Sequence, residues 1–199
     1  TAVDFSKEML ASLKSLKDDR VKLINGDGIE FLKNTDEKYD IIYFGWALSY
    51  FNYKELFPLF KKVLNPRGMV AVITNTQGTL GGIEEIFLKV MAQNPKQVVK
   101  PMDIKFNLPR GKDGLVKWFT KYGFKTLEVE EGEVFVGFDT PGELLQWLNK
   151  TGAAAGTACI FQDYSLITKE LIREIKKEKY KNGQYEINHK FAYGIFQLN

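Results

Sequence analysis

Residues 1–10 read TAVDFSKEML and residues 21–28 read VKLINGDG. In each stretch a short apolar run ends in an aspartate, Asp4 in the first and Asp27 in the second, before a helical pattern begins. An acid at the carboxyl end of a strand in an open α/β sheet can accept hydrogen bonds from the hydroxyls of a ribose. The two stretches therefore predict a bound adenosine, with Asp4 on the ribose and Asp27 on the adenine amino group.

Further apolar strands alternate with helical patterns along the chain. Tyr39–Phe44 and Met69–Thr74 are apolar at nearly every position, which is typical of strands covered on both faces of a parallel sheet. The pattern predicts a Rossmann-like, mostly parallel α/β sheet. We expect four parallel neighbours in one sheet, followed by two strands that complete it, the last of them antiparallel: Ala2–Phe5, Val21–Asn25, Tyr39–Phe44, Met69–Thr74, Phe124–Glu130 and Tyr185–Leu198.

The second half of the chain predicts a helical insertion. After a turn at Glu131-Gly132 and a separate strand at Glu133–Phe138, Thr140 is placed as the N-cap of a helix with a capping-box Glu143. Four residues give this helix an apolar face too large to leave exposed: Leu144, Leu145, Trp147 and Leu148. We expect residues 139–182 to form a helical cap that closes over the carboxyl edge of the sheet near Trp46 and Tyr50, while residues 1–138 and 183–199 form the α/β domain.

Composition narrows the class of protein. The chain has 199 residues, of which 44% are hydrophobic, so a disordered chain is excluded. The net charge of +3 requires no polyanionic partner, and the single cysteine rules out an internal disulfide framework. The sequence shows no metal-ligand spacing and no apolar run as long as a membrane span. These features indicate a cytoplasmic protein with a small-molecule substrate and no membrane or nucleic-acid partner, and they leave a homo-oligomer open.

Four short motifs occur in a fixed order: residues 3–10 read VDFSKEML, 26–27 read GD, 38–42 read KYDII and 63–68 read VLNPRG. In this order and spacing the chain resembles the class I S-adenosylmethionine-dependent methyltransferases, closely over about residues 1–75 and loosely over 110–130 and 185–198. Residues 138–148, FDTPGELLQWL, look like a helix of the small-molecule members, which include the trans-aconitate, malonyl-carrier-protein and juvenile-hormone-acid methyltransferases. The resemblance implies S-adenosylmethionine as cofactor and a small-molecule acceptor.

One part of the family pattern has no counterpart in the sequence. The family's first strand ends in a glycine-rich turn, which nothing before Thr1 supplies and which the later glycines at 77–82 and 151–156 do not replace. We expect either a preceding segment or a truncated remnant that binds no cofactor. The 199-residue chain alone is therefore expected to bind S-adenosylmethionine poorly.

The resemblance also assigns site residues. The cofactor is expected to contact Asp4, Phe5, Asp27, Gly28 and Gly45. The segment after Tyr39–Phe44 supplies the expected substrate contacts, which are Trp46, Ser49 and Tyr50.

No group of histidine, cysteine and lysine residues marks a catalytic base, so the catalytic residue stays unassigned. A structural role is the preferred interpretation of His189, the only histidine. A carboxylate acceptor would need no base, and this favours methyl transfer to a small acid. The alternatives are a catalytically inactive interaction domain of the same fold and an RNA methyltransferase.

Overall fold

The computed structural model describes residues 1–13, 18–100, 107–151 and 157–199, which belong to two compact units. Unit 1 comprises Thr1–Thr74, Asp113–Val129 and Tyr193–Asn199, and unit 2 comprises Asn75–Lys112 and Glu130–Ala192. The predicted cap, 139–182, belongs to unit 2 together with much more of the chain, and its proposed boundaries stay a prediction. The glycines of the 151–156 segment, Gly152 and Gly156, lie outside the described residues.

The described elements follow the predicted alternation of strands and helices. In chain order they are β1 (Ala2–Asp4), α1 (Lys7–Leu13), β2 (Leu23–Asn25), α2 (Gly28–Asn34), β3 (Tyr39–Gly45), α3 (Tyr53–Val63), β4 (Leu64–Asn75), α4 (Ile83–Gln93), α5 (Gly111–Lys121), β5 (Phe124–Phe138), α6 (Pro141–Lys150), α7 (Tyr164–Glu178), β6 (Tyr180–Lys181) and β7 (Gln184–Leu198). Short 3₁₀ turns lie at Leu48–Tyr50, Pro95–Gln97 and Thr157–Ile160.

The strands form two sheets among the described residues. β1 pairs in parallel with β2, and β3 pairs in parallel with β4, with Ile41 opposite Met69 and Gly45 opposite Ile73. The larger sheet has the order β3-β4-β7-β5, and β6 pairs with β7. The predicted α/β class is confirmed. The prediction of a single sheet is wrong, because the described part of the chain has no strand that joins β1 to β3.

The last strand runs antiparallel to β4, as predicted. The side chain of Gln197, near the end of β7, donates to the carbonyl of Arg67 near the start of β4. His189, nearer the start of β7, lies beside Asn75 at the end of β4. The two contacts at opposite ends of the strands fix the antiparallel direction.

β4 begins earlier than the sequence predicts, directly after α3. Residues 64–68 form an irregular start of the strand, where the register against β3 shifts between Tyr39 and Ile41. Arg67 has a left-handed φ of 64° within this stretch. A residue with a Cβ is disfavoured there by about 1–2 kcal/mol.

β5 is one strand of 15 residues, so the predicted turn at Glu131-Gly132 is wrong. Gly132 instead allows the ring of Phe191 on β7 to lie close to the β5 backbone, because a Cβ added to Gly132 would lie 2.8 Å from that ring. A glycine inside a strand often marks such an approach rather than a break.

An aromatic cluster forms the core of unit 1. Phe119 on α5 stacks on Phe196 of β7 with ring centroids 3.8 Å apart, and Phe57 on α3 lies 4.5 Å from Phe119. Phe57, Phe119 and Phe196 have no exposed surface. α3 continues through Pro58. In contrast, α1 buries only Leu10, and its Met9 is 59% exposed.

Helices α4, α6 and α7 form the core of unit 2. The predicted apolar face of α6 is buried there, since Leu144, Leu145 and Leu148 are at most 2% exposed, and Trp147 packs at the edge of the cluster. Thr140 and Glu143 make both hydrogen bonds of the predicted capping box. The apolar face of α6 is thus covered within its own unit, and its predicted role as a lid stays a prediction.

A buried carboxylate joins α4 to α7. Glu174 is 1% exposed, and its oxygens lie 2.5 Å from the Nζ of Lys89 on α4 and 2.9 Å from the Nζ of Lys177. The hydrogen bonds from Lys89 and then Lys177 hold the pKa of Glu174 at about 2. The carboxylate is therefore charged throughout the physiological range.

Candidate cofactor and substrate site

The carboxyl ends of β1 and β2 are tied together by backbone and amide hydrogen bonds. Asp4 lies opposite Asn25 in the parallel register. The side chain of Asn25 donates to the carbonyls of Asp4 at 3.0 Å and Phe5 at 2.8 Å, and the N–H of Gly26 donates to the carbonyl of Asp4 at 3.1 Å. Asn25 was missed by the sequence analysis, although a polar residue at the last position of a strand was its signal.

Asp4 is exposed at this edge, and one oxygen of its carboxylate makes a local hydrogen bond. Its Oδ1 accepts from the N–H of Ser6 at 2.7 Å, which shapes the turn into α1. Oδ2 has no partner among the described residues. Phe5, the next residue, is 81% exposed. The carboxylate and ring are thus available to a ligand with hydroxyl groups and a planar base.

Asp27 has the structural role expected of an acid that directly precedes a helix, which is that of a cap. It is the N-cap of α2, and its Oδ1 accepts from the N–H of Glu30 at 3.0 Å. The same side chain lines a cavity of about 360 Å³ that also includes Ile24, Gly26 and Phe31. The cap fixes the direction of the carboxylate and leaves Oδ2 without a partner in the described part of the chain.

The start of α2 contacts the segment that follows β3. A Cβ added to Gly28 would lie 3.5 Å from the ring of Phe51. Phe51 in turn packs edge-on against Phe44 of β3, with ring centroids 5.4 Å apart. This chain of contacts places the β2–α2 turn beside the end of β3.

Trp46 adopts an unusual backbone conformation directly after β3. Its φ is 56°, in the left-handed region that a bulky residue rarely occupies, and its N–H donates to the carbonyl of Ile73 at 2.8 Å. Gly45 precedes it at a close approach, since a Cβ there would lie 2.9 Å from the side chain of Tyr43. Backbone strain of this kind is concentrated at ligand sites. The indole is 40% exposed and accessible to a ligand.

The other two predicted substrate residues differ in exposure. Tyr50 is 56% exposed, and partial burial of its hydroxyl raises the pKa of the phenol, so it stays protonated at neutral pH. Ser49 is 3% exposed, so a substrate would reach its hydroxyl only after a rearrangement. Trp46 and Tyr50 are therefore the better placed of the three.

His189 lies in unit 2, beside the last residue of β4. Its Nε2 is 2.6 Å from the Oδ1 of Asn75, and burial lowers the pKa of the imidazole. Within the described residues, no cluster of three or more histidine, cysteine or acidic side chains could hold a metal ion. None of the helices built from those residues is long and apolar enough to cross a membrane.

Proteins of known structure share this fold. A Bacillus halodurans C-125 protein solved as a candidate methyltransferase has a TM-score of 0.61 at 15% identity, covering 98% of this chain and 81% of its own. The YcgJ protein of Bacillus subtilis has a TM-score of 0.59 at 14% identity, covering 99% of this chain and 81% of its own. Mycolic acid cyclopropane synthase CmaA1, solved with SAH and CTAB, has a TM-score of 0.51 at 18% identity, covering 98% and 68%.

A curated relative matches part of the chain. Demethylmenaquinone methyltransferase of Staphylococcus aureus strain JH9 is 29% identical over 143 residues, which is 65% of this chain. The matched region covers 58% of that relative, so the chain spans somewhat more than half the length of the curated relatives it matches.

The fold is that of the class I S-adenosylmethionine-dependent methyltransferases, and the relation predicted from the sequence motifs is confirmed. The model of the spermine/spermidine synthase domain matches residues 1–108. The chain belongs to the spermine/spermidine synthase domain family. The sequence motifs had pointed instead to the trans-aconitate, malonyl-carrier-protein and juvenile-hormone-acid types, and these subtypes stay unconfirmed.

Proposed function

We propose that the protein transfers a methyl group from S-adenosylmethionine to a small-molecule acceptor. The observation that carries this proposal is the pair of carboxylates at the carboxyl ends of adjacent parallel strands. Asp4 is the last residue of β1, and Asp27 follows the end of β2. Ligands of open α/β sheets bind outside the carboxyl ends of the strands. The similarity to methyltransferases of the same fold supports the choice of cofactor.

The residues at this edge suit an adenosine. Asp4 and the neighbouring Phe5 are both exposed, so the carboxylate can accept from ribose hydroxyls while the ring stacks on a base. Asp27 lines a cavity whose wall includes the ring of Phe31, which is an apolar surface for adenine. When bound, S-adenosylmethionine would supply an activated methyl group on a positively charged sulfur.

The chain's own residues then have to orient the acceptor and exclude water. Methyl transfer from a sulfonium needs mainly alignment, because the electrophile is already activated. The indole of Trp46 and the phenol of Tyr50 offer an aromatic surface, and aromatic faces attract a nearby sulfonium by cation–π interaction. We assign both to the acceptor side of the site.

Polyamine synthesis is a second candidate, favoured by the family match over residues 1–108. This candidate predicts an amine acceptor, for example spermidine. The acceptors to be tested for the first proposal are phenols, hydroquinones, amines and carboxylic acids.

The experiment has two parts. Calorimetry with S-adenosylhomocysteine measures cofactor binding, and Asp36→Ala, an exposed acid in the loop before β3, is the matched control for Asp4→Ala. Incubation with isotopically labelled S-adenosylmethionine and each acceptor is then followed by mass spectrometry. A gain of one labelled methyl group supports methyl transfer. The second candidate needs an aminopropyl donor, so spermidine is incubated separately with decarboxylated S-adenosylmethionine, and formation of spermine with release of methylthioadenosine supports it. Absence of both products contradicts both candidates.

A further inference from the structure

We propose that unit 2 binds a monoamine, a primary ammonium group carried on an apolar stem, in a cavity between the end of β5 and one face of α6. The cavity measures about 360 Å³ and shares no lining residue with the cavity beside Asp27. A cavity of this size, lined by aromatic side chains and a few polar groups, is typical of a small-molecule site. The proposal concerns unit 2 alone and goes beyond methyl transfer, because binding of the amine does not require the cofactor.

Two aromatic rings form the apolar wall of the cavity. Phe138, the last residue of β5, and Trp147 on α6 have ring centroids 5.8 Å apart and planes tilted by 54°. Both half-buried rings pack against the helical core of unit 2, which holds them in place. Aromatic rings attract cations and also offer apolar contact to a stem. The wall therefore suits a ligand that joins a positive charge to an apolar body.

Two carboxylates lie beside these rings. The Oε2 of Glu143 accepts from the backbone N–H groups of Asp139 and Thr140, both at 3.2 Å, so the capping box fixes this side chain next to Asp139. In the described part of the chain, the carboxylate of Asp139 and the Oε1 of Glu143 make no hydrogen bond or ion pair. This end of the cavity therefore presents hydrogen-bond acceptors with negative charge and no protein cation to neutralise them.

The opposite charge lies at the other end of the cavity. Lys150 lines the cavity seven positions after Glu143 on α6, which is about 10 Å along a helix axis. Gln146, between them on the same face of the helix, is neutral. A ligand with a second ammonium group at the lysine end would be repelled. The arrangement therefore favours one positive charge over the two or more of a diamine or polyamine.

The exposure of the carboxylates makes the apolar stem necessary. Asp139 and Glu143 are both exposed, and an exposed ion pair contributes little affinity by itself. The volume corresponds to about twelve liquid water molecules at roughly 30 Å³ each, so an ammonium ion alone would leave most of it filled with water. A stem the size of an aromatic ring would contact Phe138 and Trp147 as well. Phenylethylamine has this combination of groups and is the probe used below.

Nuclear magnetic resonance of the tryptophan indole N–H groups tests the site. The chain has three tryptophans, and the signal of Trp147 is the one that disappears in Trp147→Phe. We expect this signal to shift to saturation with phenylethylamine, and much less with phenylethanol, a neutral ligand of the same shape, or with the diamine putrescine. Absence of a shift, or an equal response to phenylethanol, would overturn the proposal. Equal affinity for putrescine would overturn the assignment to a monoamine.

Charge-removing variants test the two carboxylates. Asp139→Asn and Glu143→Gln keep the shape of each side chain, and glutamine at this position retains the capping box. We expect each variant to weaken the affinity for phenylethylamine by about 3- to 5-fold, as for an exposed ion pair, with a larger loss in the double variant. The matched control is Glu84→Gln, an exposed acid in the first turn of α4 that does not line the cavity.

The control separates a local site from a general effect of net charge. We expect Glu84→Gln to bind phenylethylamine as the parent protein does, and all variants to keep the thermal midpoint of the parent. An equal loss of affinity in Glu84→Gln would contradict the proposal, because the cavity would then have no special role. Unchanged affinity in the double variant would contradict it as well. Neither result would bear on methyl transfer, which has its own assay.

Discussion

The helices of unit 2 bury their apolar residues, whereas the sheet edge of unit 1 exposes several of its own. In unit 2, Leu144, Leu148 and Leu171 have no exposed surface. In unit 1, Phe5 is 81% exposed, and Ile41 and Tyr43 on β3 are 57% and 72% exposed. The sequence patterns of the two regions are equally apolar, so hydrophobicity alone does not distinguish them.

The difference separates residues that stabilise the protein from residues available to a ligand. A fully buried leucine contributes through packing and transfer from water. An exposed aromatic next to carboxylates contributes little to stability and is suited to recognition. Substitutions in the two regions should therefore affect different measurements.

The largest effect is expected from truncation within the helical core. Leu148→Ala removes a side chain with no exposed surface and leaves a cavity, so we expect a loss of about 2–5 kcal/mol in the free energy of unfolding. Leu166→Ala, on a residue that is 59% exposed, is the matched control and should change little. Urea unfolding measures both. Equal losses in the two variants would remove the basis of the comparison.

The next effect concerns the sheet edge and binding. In the complete protein, Asp4→Ala should weaken affinity for S-adenosylhomocysteine by roughly 10- to 100-fold, because charge-assisted hydrogen bonds contribute about 1.5–3 kcal/mol each before compensation. Asp4→Asn should retain part of the affinity. Calorimetry and urea unfolding of the same samples decide the matter, and unchanged affinity would show that the carboxylate only shapes the turn at Ser6.

A pH experiment tests how Glu174 stabilises unit 2. The folded-state pKa of Glu174, about 2, is below the ordinary 4.5, so its stabilising contribution is present above pH 4.5 and is lost as the pH falls toward 2. The difference in thermal midpoint between the parent protein and Glu174→Gln should be largest near neutral pH and should shrink over that window. A difference that stays constant from pH 6 down to pH 2.5 would show that the carboxylate acts through packing alone.

The smallest effect is expected at the irregular start of β4. Arg67 has a φ of 64°, so Arg67→Gly should relieve about 1 kcal/mol of strain, part of which is offset by the greater freedom of glycine in the unfolded chain. The main-chain carbonyl that accepts from Gln197 is retained. Arg67→Ala is the control and should give no gain. A clear destabilisation by Arg67→Gly in urea unfolding would argue that the arginine side chain contributes to packing.

Local signals in the sequence predicted local structure well. Thr140 and Glu143 gave the start of α6, because the capping box is formed by residues three positions apart. The positions of Asp4 and Asp27 near strand ends were also predicted correctly, because an apolar run that ends in an acid is a local signal. Gly132 led to the wrong prediction of a turn, because a glycine needed beside the ring of Phe191 has the same sequence signature as a turn.

Features that depend on distant residues could not be predicted. The separation of β1–β2 from the larger sheet is a matter of pairing, which the apolar pattern of a strand does not specify. The left-handed φ of Trp46 and the contact of His189 with Asn75 also arise only in the folded chain. The burial of Ser49 follows from the 3₁₀ turn at Leu48–Tyr50, for which no distinct sequence signal exists.

The aromatic cluster of unit 1 has a consequence for the order of folding. Phe57 comes from the first third of the sequence, whereas its stacked neighbourhood is completed by Phe196, close to the last residue. Contacts between such remote positions slow folding, because a long loop has to close before they form. During synthesis, residues 1–74 would therefore wait with the ring of Phe57 incompletely covered until β7 arrives. The packing of the aromatic cluster in unit 1 is therefore completed only when β7 is in place.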